Sequence, residues 1–179
     1  MTAELYRLTS PQYNGLVKQN ATPDSSFWIN AVAAGLVEHL LEDYDLWVPS
    51  AVAAELTEAY PSGAFLHQLI RAGPVRVMEP ATLAVDRFGP GERAVLSLAA
   101  QHRDWTLLLD DLRPFRAAQE MGLAPVSSPA YAASLYGRSI IDEGGVLTAL
   151  ARLAARSTVS PQLIALALSQ VATTLKERR

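Results

Sequence analysis

WTLLLDDLRPFRAAQEMGLAPVSS, residues 105–128, decides the fold. Its apolar opening WTLLL reads as a strand, and RPFRAAQEMG reads as a helix with Pro114 in the first turn and Gly122 just past the end. APVSS then reads as a second short strand. A strand, one helix and another strand make a crossover unit, so the two strands run parallel. Asp110 and Asp111 stand where the first strand ends. Adjacent like charges repel, and burying either one is costly without a cation beside it.

Working outward, the same alternation continues. SSFWINAVAAG (25–35) reads as a helix capped by Asp24 and ended by Gly35, with Phe27, Ile29, Val32 and Ala33 as its apolar face. LVEHLLEDY (36–44) reads as helical, LWVP (46–49) as a strand, and SAVAAELTEAY (50–60) as a helix capped by Ser50. A short helix over 62–72, a strand VRVM (75–78) and the loop-to-helix segment FGPGERAVLSLAAQH (88–102) follow. TSPQYN (9–14) and NATP (20–23) read as turns. After the helix SPAYAASLYG (128–137), the chain changes character. It becomes two amphipathic helices broken at Ser157 to Ser160, with Pro161 in the second helix's first turn. Leu163, Leu166, Leu168 and Val171 form an apolar repeat there that is expected to be covered.

These observations predict an α/β domain over residues 1–139, with helices on both faces of a parallel sheet. Residues 140–179 form a helical hairpin packed on that domain or on a partner. The 179 residues suffice for one core with such an extension. Cysteine is absent, which excludes disulfides, thiolate metal sites and cysteine nucleophiles. A net charge of −3 argues against coating nucleic acid by bulk electrostatics. Lysine occurs only at Lys18 and Lys176, so positive charge is mostly arginine, the better bidentate phosphate ligand. No apolar run is long enough to span a bilayer, and MTAELYRLTSPQ lacks the features of a secretory signal. A cytoplasmic location with no membrane contact is expected.

Acidic residues stand at the element ends. In a parallel sheet the strand ends and the following helix starts share one edge, so Asp24, Glu92, Asp110 and Asp111 are expected to converge there. Glu55 has to reach that edge from a helix. Singly, each has a structural explanation: Asp24 as a cap, Glu92 as a complement to the helix dipole, and Glu55 as a surface residue beside Glu58. The Asp110–Asp111 pair is different, because capping does not require two acids.

Taken in order, DSSFWI, VPSAVAAEL, GERAVLSLA and LLLDDLRPFRAAQEMGLAPVSS resemble the motifs of the PIN domain, in particular the PIN-like ribonucleases of prokaryotic toxin-antitoxin systems. The resemblance runs from about Asp24 to Ser128 and departs at LVKQNATP (16–23), which is polar and carries Pro23 where the family has a regular first strand. It implies a three-layer α/β/α fold with a short parallel sheet and a C-terminal helical extension. It further implies a metal-dependent endoribonuclease that uses Mg²⁺ or Mn²⁺ and water, with an antitoxin protein as partner and a homodimeric assembly. Carried over by position, Asp24, Glu55, Glu92 and Asp110 are the acidic quartet, with Asp111 as a close support or alternative ligand and Ser26 as the site serine. Hard divalent ions favour such oxygen ligands. Between Asp110 and Asp111, direct coordination is expected of Asp110, which still belongs to the strand, while Asp111 is free to accept N–H groups of the next helix. Arg113 and Arg116, directly after the pair, are candidates for RNA phosphate contact.

Two other readings compete. GPGERA satisfies the G-x-G-x-x-A pattern of dinucleotide binding, with an acid about twenty residues on. That reading leaves Asp24 and Glu55 unexplained, and Asp86 and Arg87 interrupt the strand it needs. A non-catalytic PIN-like binding module is the other. His39, His67 and His102 show no ligand spacing, and Trp28, Trp47 and Trp105 are expected in the core.

Overall fold

Over residues 18–178, the range described by the computed structural model, short strands alternate with helices. The order is β1 (Gln19–Pro23), α1 (Ser25–Ala34), α2 (Val37–Asp43), β2 (Tyr44–Val48), α3 (Ser50–Glu55), α4 (Pro61–Ala72) and β3 (Val75–Val77). There follow α5 (Pro90–Gln101), β4 (Thr106–Leu108), α6 (Leu112–Glu120), β5 (Pro125–Val126), α7 (Ser128–Gly137), α8 (Glu143–Ala154) and α9 (Pro161–Glu177). The turn expected at 9–14 lies outside the described residues.

All strand pairs are parallel, in the order β3-β2-β1-β4-β5. From β1 the chain steps outward to β2 and β3 on one side, then returns to lay β4 and β5 on the other. The strand order therefore reverses between β1 and β4, and it is beyond the carboxyl ends at such a point that α/β sheets bind ligands. Pro23 pairs with Leu108, and the next residue continues the ladder with Asp24 N–H donating to Leu108 O at 3.0 Å. The two segments that carry the aspartates are thus locked side by side.

NATP is no turn but most of the central strand. Its polar residues are used: Asn20 Oδ1 accepts the Trp47 indole N–H at 2.8 Å, and Pro23, which lacks a donor, sits at the strand's last position. Ser50 is not a cap either. Pro49 occupies that position, and the free Ser50 N–H donates to Glu79 Oε1 at 2.7 Å. Helix α3 also ends early, at Glu55. His67 Nε2 lies 3.0 Å from the carbonyls of Ala53 and Leu56 and ties down that frayed end.

The inward side of α1 is Phe27, Trp28, Asn30, Ala31 and Ala34 rather than the face expected around Ile29, Val32 and Ala33. The helix is packed by α3, α4, α7 and α8 together, so no single stripe describes its burial. Trp28 is core, but Trp47 and Trp105 are only half buried and stack on one another at 5.6 Å between Arg76 and His102.

Helices α8 and α9 pack on α7, and α8 also on α1. Their inward residues Val146, Leu150, Leu153, Leu163, Ala167 and Val171 belong to the same hydrophobic cluster as the sheet. Leu163, Ala167 and Val171 recur every four residues and face inward. Leu166 and Leu168, expected to be covered, are 45% and 43% exposed. At the sheet's amino edge, Asp43 receives Arg138 Nη1 at 3.0 Å, Arg138 Nη2, and the Tyr131 hydroxyl at 2.7 Å. This buried pair joins the end of α2 to α7. Among the described residues no helix is long and apolar enough to cross a membrane.

Candidate metal centre

Asp24 follows β1 and caps α1, its Oδ1 accepting Phe27 N–H at 2.6 Å. It is 2% exposed. Burial pushes its carboxyl well above the usual range, and the charges of Asp110, Glu92 and Asp111 push it further, while the Phe27 hydrogen bond pulls the other way. Every charge acting on it is another carboxylate. Of the other expected acids, Asp110, Glu92 and Asp111 thus lie near enough to Asp24 to raise its carboxyl, and Glu55 is not among them.

Asp110 is fully buried at the end of β4, opposite the amino terminus of α7. Burial raises its carboxyl, opposed by hydrogen bonds from the Ser128 hydroxyl, the Ser128 N–H and the Asn30 amide. Asp111 turns the other way and caps α6, accepting Arg113 N–H at 2.9 Å. The divergence expected of neighbouring residues is what the chain shows.

Glu92 lies in the first turn of α5 and reaches back to accept Gly89 N–H at 3.1 Å. Residues 78–89 before it contain no strand, so GPGERA lacks the strand-to-helix turn that dinucleotide binding requires. Glu55 is exposed and joins the edge through two anchors. Its Oε1 accepts Gly91 N–H at 2.9 Å and its Oε2 accepts the Ser25 hydroxyl. A Cβ at Gly91 would lie 2.5 Å from Glu55 Oε2, so only glycine leaves room for this carboxylate against α5.

Ser26 is half buried, and the hydroxyl that holds Glu55 is that of its neighbour Ser25. Arg113 and Arg116 are exposed on α6, with the Arg113 guanidinium 5.9 Å from the Phe88 ring centroid. Sequence reasoning missed Ser25, Gly91, Asn30 and Ser128. Asn30 carried a signal, since one polar residue inside FWINAV has to find a buried partner.

The donor set suits a hard divalent cation: every donor is a carboxylate oxygen, and burial raises two of them, Asp24 and Asp110. The fit is one of charge and donor chemistry. Among the described residues no group of three His, Cys, Asp or Glu side chains stands assembled for a metal.

A family model described as a PIN domain matches residues 21–172. That span takes in the end of β1, from Ala21, every acid discussed above, and most of α9. No curated protein matches the chain.

Proposed function

The chain belongs to the PIN-domain family, a nuclease fold, and from that premise we propose that it is a Mg²⁺- or Mn²⁺-dependent endoribonuclease acting at the carboxyl ends of β1 and β4. The observation that carries this reading is Asp24, buried at the point where the strand order reverses, with Asp110, Glu92 and Asp111 near enough to push its carboxyl further up. Asp24, Glu92 and Asp110, with Glu55 approaching from α3 and Asp111 beside them, are the groups that would hold the ion. When bound, a divalent cation supplies positive charge to phosphodiester oxygens and makes an attacking water more acidic.

The chain's own residues do the rest. Ser128, at the α7 amino terminus, holds the Asp110 carboxyl in place through its N–H and its hydroxyl. Ser25 and the Gly91 N–H hold Glu55 at the rim, with Ser26 as a supporting site residue. Arg113 and Arg116, exposed one turn beyond the acids, would contact RNA phosphates on either side of the scissile bond. The role of a toxin countered by an antitoxin protein, a homodimeric state and a cytoplasmic location complete the proposal, supported by the motif resemblance.

Purified protein incubated with mixed RNA is expected to cleave it with Mn²⁺ and not with EDTA. No metal-dependent cleavage across a panel of RNAs would leave a non-catalytic binding module. Gly91→Ala supplies a finer test. A helical Gly→Ala change stabilises by roughly 0.5–1 kcal/mol. Its methyl group, however, meets the Glu55 carboxylate at 2.5 Å and displaces it. The variant is expected to melt no lower than wild type yet to lose on the order of 100-fold in cleavage, as misplaced catalytic groups do. Unchanged activity would remove Glu55 from the site.

A further inference from the structure

Asp110 is wholly buried, and an ionised carboxylate in that position needs donors aimed at it from fixed places. Its two oxygens offer about four lone-pair sites. The Ser128 N–H takes one on Oδ1 at 2.7 Å. The Ser128 hydroxyl and the Asn30 Nδ2 take both on Oδ2, at 2.6 and 2.8 Å. One site on Oδ1 is left, and the three donors fix the direction in which it points.

Ser128 is set by the first turn of α7, but an asparagine amide can face either way. The acceptor-only Asp110 carboxylate turns the Asn30 amide so that Nδ2 faces it, and the Thr158 hydroxyl holds the other end by donating to Asn30 Oδ1 at 2.9 Å. Reversed, Asn30 would set an oxygen against a carboxylate, acceptor against acceptor. Asn30 is fully buried, whereas Thr158 lies on the exposed loop between α8 and α9. A chain of bonds with one consistent polarity therefore runs from the C-terminal hairpin through α1 to the end of β4.

Resting on the reading of Asp110 as a metal-holding carboxylate, we infer that Asn30 and Thr158 are positioning residues for the metal centre. The hairpin is then a working part of the site, acting through a contact between residues 128 apart in sequence. Partners that orient a metal-binding carboxylate typically contribute about 10–100-fold to metal affinity.

The test is titration calorimetry of the full-length, metal-free protein with Mn²⁺, alongside its melting temperature in EDTA. Thr158→Val keeps the shape and removes the donor; Thr158→Ser restores the donor. Thr158→Val is expected to bind Mn²⁺ about tenfold or more weakly and to melt somewhat lower without metal, because the buried Asn30 Oδ1 loses its donor, while Thr158→Ser is expected to bind and melt as wild type does. Wild-type Mn²⁺ affinity in Thr158→Val overturns the inference alone. Weaker binding that Thr158→Ser does not restore also overturns it, because the loop is then merely structural. A wild type that binds no Mn²⁺ overturns the metal reading and this inference together.

Discussion

Asp24→Asn is expected to abolish metal-dependent RNA cleavage while making the metal-free protein more stable. Asparagine is as good a helix cap as aspartate, so the bond to Phe27 N–H survives the change. What disappears is a buried negative charge facing three others. Loss of a direct metal ligand should exceed the range of about 10–100-fold seen for outer partners. In EDTA at neutral pH the variant should melt above wild type. The sign follows from linkage. A carboxyl raised in the folded state contributes stability that is fully present below its unfolded value, near 3.8, and is lost as pH rises through the higher folded value. The gap between variant and wild type should therefore close as pH falls toward 3.8. A variant less stable than wild type at neutral pH would make Asp24 a structural cap and nothing more. Asp110 should behave in the opposite way. Repulsion alone suggests relief on neutralising it, but Asn at 110 would turn an amide NH₂ toward donors on Ser128 or Asn30, leaving at least one unpaired at a cost of about 1–3 kcal/mol.

The second large effect lies at the far end of the sheet. Asp43→Ala removes the carboxylate that receives two Arg138 nitrogens and the Tyr131 hydroxyl. The Asp43 and Arg138 side chains are only 4% and 13% exposed. Breaking a buried pair by deleting one partner costs roughly 3–5 kcal/mol, because the remaining charge stays desolvated. For a chain of this size that lowers the melting temperature by on the order of 10 °C. The same burial, followed by the Asp43 charge, pushes the neighbouring Tyr44 hydroxyl up to about 12. Below its melting transition the variant should bind Mn²⁺ as wild type does, since Asp43 precedes β2 and the acids follow β1 and β4. A melting temperature within a degree or two of wild type would show that solvent reaches the pair.

Most of the α/β alternation was legible because the helices carry capping and stop signals and the outer strands are apolar. β1 was not. Its residues QNATP satisfy no strand pattern, and only tertiary partners make them one: the Trp47 indole for Asn20, and strands on both sides for Ala21. What was legible of the acids was their place at element ends, with Asp24 and Asp110 just past β1 and β4. Their supports were less so. Ser25 and Ser26 are indistinguishable until the end of α3 places Glu55 over one of them. Asn30 and Thr158 meet only after α8 has folded back on α1. In α9, composition suggested more covered leucines than one helix line can bury, and the i, i+4, i+8 line chose Leu163, Ala167 and Val171.

The central place of β1 also sets a timetable for synthesis. A chain leaving the ribosome amino terminus first has β1 early, yet that strand's second flank stays open until Leu108 exists to pair with Pro23. Asp110 then waits for Ser128, and Asn30 waits for Thr158. Parallel pairing between strands so far apart is slow to form and cannot begin locally. Competence on this layout does not accumulate with length. It waits for Thr158, so the polypeptide made up to that point holds its acidic residues while their supports are still missing.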